Sequence, residues 1–268
     1  MRTRISASNS IPLLVFGIHG VLMGRREPPG HRQAGEVIAA LRDMEYPMLF
    51  LTNSSSKSPA SLAMQLADSQ VEVRVDEIYT GAMVVAHYLR SSSTSSRVYV
   101  IGSQVLRNEI STRCADCVRW ATPEEADTVV VSRDPSLDDE LLLRFNRSLL
   151  RLIATCRDSD FPSDIGREPG PGSTVSRVEG ALNLTARVIG KPNTYVLTEV
   201  MGLSNEELVQ TVIIGDSLWQ DIALSRNAGT KSVLLQSDES NLPTASPWQP
   251  DRVFTAIDQL LELFQEGQ

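Results

Sequence analysis

The feature that most constrains this sequence is the alternation of short apolar runs with segments whose apolar residues recur every three or four positions. The runs are rich in valine, isoleucine and leucine, as in VYVIG, TVVVS, TVIIG and SVLLQ. The last helical segment has this spacing at Ile257, Leu260, Leu261 and Phe264. Strands that alternate with helices along a chain predict an α/β fold with a doubly wound parallel sheet.

Several predicted helices carry start signals, since serine or threonine at a helix start accepts a hydrogen bond from a backbone N–H. Such residues precede four helical segments, two of them with a capping box: Ser58, Thr80, Ser136 with Asp139, and Ser204 with Glu207. The stretch from Ser163 to Gly172 is rich in glycine and proline, so we expect a mobile loop there.

Composition limits the class of protein. The 268 residues are 41% apolar and 22% charged, which is typical of one large or two modest globular domains. Lysine and arginine number 25 against 33 aspartates and glutamates, for a net charge of -8. Because no basic stretch offsets this charge, we expect neither direct nucleic-acid binding nor membrane binding.

Cysteine content and the first residues bear on location. Three cysteines are too few for a disulfide framework, which favours an intracellular protein. Residues 1–10 contain two arginines, three serines and no acid, which fits a disordered tail or a short targeting segment. The predicted location is therefore cytoplasmic or mitochondrial.

The cysteines Cys114 and Cys117 form a single Cys-x-x-Cys motif. They have no second pair or nearby histidine, so we expect two free thiols rather than a zinc or redox site.

Polar residues follow four of the predicted strands, which is where parallel α/β sheets bind ligands. The segments are FGIHGVL at 16–22, LTNSS at 51–55, IGKP at 189–192 and IGDSLWQD at 214–221. In this order, and with a domain-sized gap after the second, they resemble the motifs of the haloacid dehalogenase superfamily. The gap points to subfamily IIA, the nitrophenylphosphatase and phosphoglycolate phosphatase type. The stretch IATCRDSDFP at 153–162 is similar to a cap-domain segment of that subfamily.

The resemblance implies a discontinuous α/β core, residues 11–80 plus 188–268, with an inserted α/β cap at 81–187. In the family, an aspartate after the first strand attacks phosphorus and a second aspartate two residues later acts as acid and base. Mg²⁺ bridges the nucleophile and the phosphate.

Carried over by position, the family's roles fall on five residues of this chain. Phosphate binding is assigned to Thr52, Asn53 and Lys191, and the metal site to Asp216 and Asp221.

The first motif departs from the family pattern. Where the family has Asp-x-Asp-Gly, this sequence has Gly17-Ile18-His19-Gly20, so glycine stands at the nucleophile position and histidine at that of the acid/base. Loss of a nucleophile costs on the order of 10⁶ in kcat. The sequence therefore predicts a catalytically inactive pseudophosphatase that serves as a binding or scaffold subunit, without catalytic residues or a likely cofactor. Its Mg²⁺ site would be weak or lost, while the amides of residues 17–21 would form an anion-binding nest.

Alternatives to this prediction stay open. One is an active Mg²⁺-dependent phosphatase of a small phosphorylated metabolite with a rearranged nucleophile such as His19. Another is a sensor of a phosphorylated ligand. For the site residues, an ion pair between Lys191 and Asp216, a helix cap at Asp221 and turn roles for Thr52 and Asn53 are structural alternatives. Predicted partners are proteins of a larger assembly, a second copy bound through the cap, or a phosphorylated small molecule.

Overall fold

The structure is a computed structural model that describes residues 11–24, 27–92, 95–163, 166–236 and 246–265. The tail or targeting segment predicted at residues 1–10 lies outside these ranges. The strands of the described residues are, in chain order, β1 (Leu14–Gly17), β2 (Met48–Thr52), β3 (Ile78–Thr80), β4 (Ser96–Ile101), β5 (Val118–Trp120), β6 (Thr128–Val131), β7 (Arg151–Ala154), β8 (Asp160–Ser163), β9 (Gly166–Pro169), β10 (Arg187–Val188), β11 (Val212–Gly215), β12 (Lys231–Leu235) and β13 (Arg252–Phe254).

Helices follow most of the strands, as the alternating pattern predicts. The α-helices of the described residues are α1 (Ala34–Asp43), α2 (Pro59–Asp68), α3 (Gly81–Ser91), α4 (Gln104–Arg113), α5 (Asp139–Leu143), α6 (Pro171–Leu182), α7 (Asn205–Gln210), α8 (Ala223–Ala228) and α9 (Gln259–Gln265). The longest, α6, has 12 residues. Across the described ranges, no helix combines the length and apolar character needed to cross a membrane.

The described residues form two compact units. The first comprises the chain up to residue 51, residues 63–78 and the chain from residue 197 onward; the second comprises residues 52–62 and 79–196.

The first unit is built on a six-stranded sheet of order β13-β12-β11-β1-β2-β3. The pairs β1·β11, β1·β2, β11·β12 and β12·β13 are parallel. The strand β1 is buried along its whole length, and the ring of Phe16 stacks on that of Phe50 in β2 at 5.9 Å. From β1 the chain builds outward to β2 and later returns on the other side at β11, so the point of reversal lies between β1 and β11. Ligands bind at the carboxyl ends of strands at such a point.

The second unit is built on a five-stranded sheet of order β10-β7-β6-β4-β5, again with parallel pairs. Its core includes Val129, Val131, Leu152 and Val175, all buried. Two parallel sheets with helices between their strands confirm the predicted α/β class.

Three of the predicted helix starts are confirmed. Thr80 Oγ1 accepts the N–H of Met83 at 3.3 Å. Ser58 Oγ accepts the N–H of Ser61 at 3.2 Å. The Ser204 capping box is complete, because the Ser204 and Glu207 side chains each accept the other residue's N–H.

The capping box predicted at Ser136 and Asp139 is wrong. The helix α5 begins two residues later than predicted, after Asp138, whose carboxylate accepts the N–H of Glu140 at 3.0 Å. Ser136 instead donates its hydroxyl to Asp134 at 2.7 Å. Asp138 caps the helix instead of Ser136 because it lies directly before the first helical residue. Aspartate and serine are about equally favourable at that position.

The loop predicted from Ser163 to Gly172 is wrong for most of its length. Gly166–Pro169 is the strand β9, which pairs antiparallel with β8, and α6 begins at Pro171. Residues 164 and 165 lie outside the described ranges. Glycine and proline are as common in the turn of a short hairpin and at the start of a helix as they are in a loop.

Candidate functional site

At the reversal point of the first sheet, the loops after β1 and β11 approach each other closely. A side-chain carbon added at Gly20 would lie 1.9 Å from Asp216 Oδ2, so the Asp216 carboxylate is packed against the glycine backbone. Gly20 also has a φ of +79°, a conformation that favours glycine. A carbon added at Gly17 would lie 3.8 Å from Asp221 Oδ1. The first and fourth motifs therefore meet within the first unit.

The loop after β1 is held by its own backbone. The N–H of Ile18 donates to Leu51 O at 3.3 Å, and that of Gly20 donates to Met23 O at 2.7 Å. These two amides are bound within the protein, and an anion-binding nest formed by the other amides of residues 17–21 stays a prediction. His19 lies half-buried in this loop, at a bridge with Met23.

The two acids after β11 differ in environment. Asp216 is exposed, whereas Asp221 is 2% exposed and its Oδ2 accepts the N–H of Ser217 at 3.2 Å. Asp221 therefore holds the turn that precedes it, and the capping position of α8 is Ile222 rather than Asp221.

The donor set beside the β1 loop fits Mg²⁺ in its chemistry. Mg²⁺ takes one or two carboxylates and fills its other positions with water and phosphate oxygens. Asp216 and Asp221 supply two carboxylates. In the described residues, no group of three or more histidine, cysteine, aspartate or glutamate side chains could hold a metal ion by itself.

Residues 52–55 of the second motif and the whole third motif belong to the second unit. Thr52, Asn53 and Lys191 are 5%, 7% and 6% exposed. Asn53 Oδ1 accepts the backbone N–H of Lys191 at 2.9 Å, and its Nδ2 donates to Lys191 O at 3.3 Å. Thr52 Oγ1 accepts the N–H of Ser54 at 3.1 Å, as a turn residue does. Lys191 follows β10, so one of the four predicted strand ends belongs to the second sheet rather than the first.

Two glycines give Asn53 its place. A side-chain carbon at Gly190 would lie 2.7 Å from Asn53 Oδ1 and 2.2 Å from Thr155 O. A carbon at Gly81 would lie 2.4 Å from Asn53 O. Any larger residue at either position would displace Asn53, and with it the backbone of Lys191.

Asp158 is a site residue that the sequence did not single out. Asn53 Nδ2 lies 3.3 Å from both carboxylate oxygens of Asp158 and donates to them. Asp158 thus orients Asn53, which in turn binds the Lys191 backbone. The available signal was the stretch at 153–162, which contains Asp158 and resembles a cap segment of the family.

The other two histidines have hydrogen-bond partners, and the two cysteines of the Cys-x-x-Cys motif form no disulfide. His31 Nδ1 lies 2.9 Å from Asp258 Oδ1, and His87 Nδ1 lies 3.0 Å from the hydroxyl of Tyr195. Cys114 and Cys117 are free thiols, as predicted.

Comparison with known proteins identifies relatives along nearly the whole chain. A family profile described as haloacid dehalogenase-like hydrolase matches residues 14–113, and one described as HAD-hydrolase-like matches residues 188–262. Sugar-phosphatase AraL of Bacillus subtilis (strain 168) is 31% identical to this chain, with 98% of each chain covered. Dihydroxyacetone phosphatase of Corynebacterium glutamicum (strain R) is 27% identical over 92% of this chain and 90% of its own. The crystal structure of 4-nitrophenylphosphatase from Thermotoga maritima superposes on this fold with a TM-score of 0.80. The match covers 94% of this chain and 97% of the other, and the two sequences are 25% identical.

These relatives contradict the prediction of an inactive pseudophosphatase that serves as a binding or scaffold subunit. All three are named for phosphatase activity, and they favour the alternative of an active phosphatase. The prediction rested on Gly17 and His19 alone. Loss of the attacking side chain removes the covalent route, but it leaves positioning and charge stabilisation of the phosphate to the other site residues, and these also accelerate phosphoryl transfer. With similarity over 98% of its length to a named sugar phosphatase, this chain belongs to the haloacid dehalogenase superfamily, subfamily IIA.

Proposed function

We propose that this protein hydrolyses phosphate monoesters of small sugars and related metabolites. The observation that carries the proposal is the 31% identity to a sugar-phosphatase over 98% of both chains. A dihydroxyacetone phosphatase among the relatives supports a short, hydroxylated substrate.

Phosphate binding is assigned to Lys191, with Thr52 and Asn53 beside it in the sequence motifs. The Lys191 side chain is 6% exposed. A buried ammonium attracts a phosphate dianion more strongly than an exposed one, because the surrounding dielectric is lower. Asn53 fixes the Lys191 backbone through two hydrogen bonds, so the lysine needs little reorganisation when phosphate binds.

Asp216 and Asp221 are the residues that would hold Mg²⁺. When bound, the ion neutralises charge on the phosphate oxygens during transfer. Asp221 is already oriented by the N–H of Ser217. Asp216 is exposed and packed on Gly20, so its carboxylate lies beside the β1 loop.

The attacking group cannot be a side chain at residue 17, because glycine has none. We assign water as the nucleophile and His19 as the base that accepts its proton, since imidazole is the commonest proton acceptor in enzymes. The water oxygen forms a bond to phosphorus as the ester P–O bond breaks. The water proton passes to His19, and the departing alkoxide takes a proton from solvent.

Steady-state hydrolysis of p-nitrophenyl phosphate and of three- to six-carbon sugar phosphates tests the proposal. With Mg²⁺ present, we expect turnover that EDTA abolishes. The His19→Ala change should lower kcat by about 10² to 10⁴. The matched control is His31→Ala, because His31 belongs to the same unit and pairs with Asp258 on the surface.

A second pair of variants tests the proposed role of Lys191, which belongs to the second unit. Lys191→Met should lower kcat/KM by about 10² or more, because a charge-assisted contact to phosphate is lost. The control Lys231→Met removes an exposed lysine at the start of β12 and should leave the rate unchanged. Phosphate release no faster than in buffer, or full activity in His19→Ala, would contradict the proposal.

A further inference from the structure

Two cysteines outside the proposed phosphatase site lie at the two ends of one tight turn. Cys114 is the C-terminal capping residue of α4, and β5 begins directly after Cys117. The N–H groups of Cys117 and Val118 both donate to Cys114 O, at 3.1 and 3.0 Å. A turn of this kind holds its end Cα atoms within about 7 Å. Disulfides join residues with Cα atoms roughly 4.4 to 6.8 Å apart, so the turn has the span that a disulfide requires.

The two thiols differ in access. Cys114 is 2% exposed, and its Sγ donates to Ala86 O in α3 at 2.9 Å. Cys117 is half-buried, and its Sγ lies 3.6 Å from Cys114 O. Burial, and then the neighbouring Cys117 thiol, raise the pKa of Cys114 to about 12, while Arg90 opposes the shift. The Cys117 thiol is therefore the one that a reagent in solution reaches first, and Cys114 is the thiol beside it.

We propose that Cys114 and Cys117 form a reversible intramolecular disulfide, with the disulfide of a low-molecular-weight thiol as the oxidant. This modification site is independent of the phosphatase activity.

The reaction is a pair of thiol–disulfide exchanges. The Cys117 thiolate attacks one sulfur of the oxidant and expels the other as a thiolate, which takes up the Cys117 proton. Cys114 then loses its proton and attacks Cys117 Sγ, which forms the Cys114–Cys117 bond and releases the second oxidant thiol. Two electrons and two protons pass to the oxidant, so both cysteines are oxidised and the oxidant is reduced to two thiols.

The third cysteine provides an internal control. Cys156 follows β7, is 1% exposed and has its pKa raised by burial. The protein therefore contains one pair spaced for a disulfide and one buried thiol elsewhere in the sequence.

The test is a redox titration of the full-length protein in mixtures of oxidised and reduced dithiothreitol. Samples are quenched in acid, alkylated in denaturant and digested with trypsin, which releases residues 114–119 as one peptide. Under oxidising mixtures, we expect the loss of two of the three alkylatable thiols, with the peptide 114–119 unalkylated and two hydrogens lighter. Added reduced dithiothreitol should restore both thiols.

Three serine variants assign the bond. Cys117→Ser should keep both remaining thiols alkylatable in every mixture, and Cys114→Ser should do the same. Cys156→Ser should still lose both of its thiols. Because Cys117 is only half-buried, Cys117→Ser remains informative if Cys114→Ser fails to fold. Three alkylatable thiols in the most oxidising mixture, a disulfide to Cys156, or a disulfide-linked dimer would each overturn the proposal.

Discussion

Gly17 is the residue at which this chain differs most clearly from its family's chemistry. A side-chain carbon there would lie 3.2 Å from Val21 Cγ2 and 3.8 Å from Asp221 Oδ1. A small shift of the Val21 methyl would therefore admit an aspartate, whose carboxylate would join Asp221 near the proposed Mg²⁺ site. Gly17 has no left-handed backbone angle, so a side chain there adds no backbone strain.

We therefore expect the double change Gly17→Asp and His19→Asp to raise Mg²⁺-dependent hydrolysis of p-nitrophenyl phosphate. A covalent nucleophile contributes up to about 10⁶ in kcat, and we expect roughly 10² in a site not selected for it. Isothermal titration of Mg²⁺ should also show tighter binding, since a third carboxylate is added. The single change His19→Asp is the control and should be slower than the natural protein. A double variant no faster than that control would show that residue 17 does not face the reacting phosphate.

Asp158 allows a second prediction at the scale of one residue. Without its carboxylate, Asn53 Nδ2 keeps only Lys191 O among the partners described here, so the Asn53–Lys191 contact should loosen. For Asp158→Ala we expect KM for a sugar phosphate to rise about 10-fold, with a smaller change in kcat. Asp158→Asn can still accept from Asn53 and should recover most of the loss.

Ser159→Ala is the matched control for Asp158, because Ser159 is exposed and adjacent. Its KM should be unchanged. Equal KM values for Asp158→Ala and the natural protein would show that Asn53 does not depend on this carboxylate.

Contacts of this kind explain what a single sequence leaves out of the site. Three short motifs predict the candidate site residues Thr52 and Asn53, Lys191, and Asp216 and Asp221. The contact between Asn53 and Asp158 joins residues 105 positions apart, and neither residue type nor local spacing indicates it.

At the scale of elements, local signals predict well where one residue decides. Thr80 and Ser204 are caps because they stand directly before helical segments. Ser136 fails because Asp138 lies nearer the helix and makes the same bond. The hairpin of β8 and β9 shows the converse, since strands of this length carry too few residues for the alternation that identifies a strand.

The contact between α1 and the 3-10 turn Val75–Glu77, which precedes β3, gives a prediction for stability. Arg42 donates to both carboxylate oxygens of Glu77, at 2.9 and 3.0 Å, and the Glu77 side chain is only 6% exposed. The N–H of Arg74 donates to the same carboxylate at 2.9 Å. Glu77→Ala should lower the free energy of unfolding by about 2 to 3 kcal/mol, because three charge-assisted bonds are lost and a partly buried arginine is left without its carboxylate.

Urea unfolding measures this effect, and Asp76→Ala is the control. Asp76 pairs with Arg74 at 3.2 Å, but both side chains are largely exposed, so its removal should cost less than about 0.5 kcal/mol. Similar midpoints for the two variants would contradict the assigned role of Glu77.

At the scale of the whole molecule, the alternation of strands and helices predicts a parallel α/β sheet, and the resemblance to the family adds the division into a core and an α/β cap. Neither signal predicts which sheet contains β10. A two-residue strand has no pattern of its own, and its pairing with β7 depends on the folded second unit. The overall charge of -8 likewise predicts an acidic protein, but not which acids have arginine partners.

Those partners set how stability responds to acid. Hydrogen bonds from arginine lower the pKa of Glu124 to about 2 and also lower the pKa values of Asp139 and Glu179. A carboxyl whose pKa is lower in the folded state stabilises the protein above its unfolded pKa. That contribution is lost as pH falls through the folded pKa. Stability should therefore decline from about pH 4.5 downward and stay level above about pH 5.

The alkaline side depends on groups of the opposite kind. Burial raises the pKa of Cys114 to about 12, and it also raises the pKa values of Cys156 and Tyr46. The folded protein keeps these protons at a pH where the unfolded chain loses them. The unfolded state therefore binds fewer protons, and stability falls as pH rises above about 9.

Urea midpoints measured from pH 3 to 11 in reducing buffer should form a plateau with a decline on each side. In Cys156→Ala the alkaline decline should be shallower than in the natural protein and the acid decline the same. A midpoint that stays constant from pH 9 to 11 in the natural protein would mean that these thiols and the Tyr46 hydroxyl ionise as freely in the folded state as in the unfolded one.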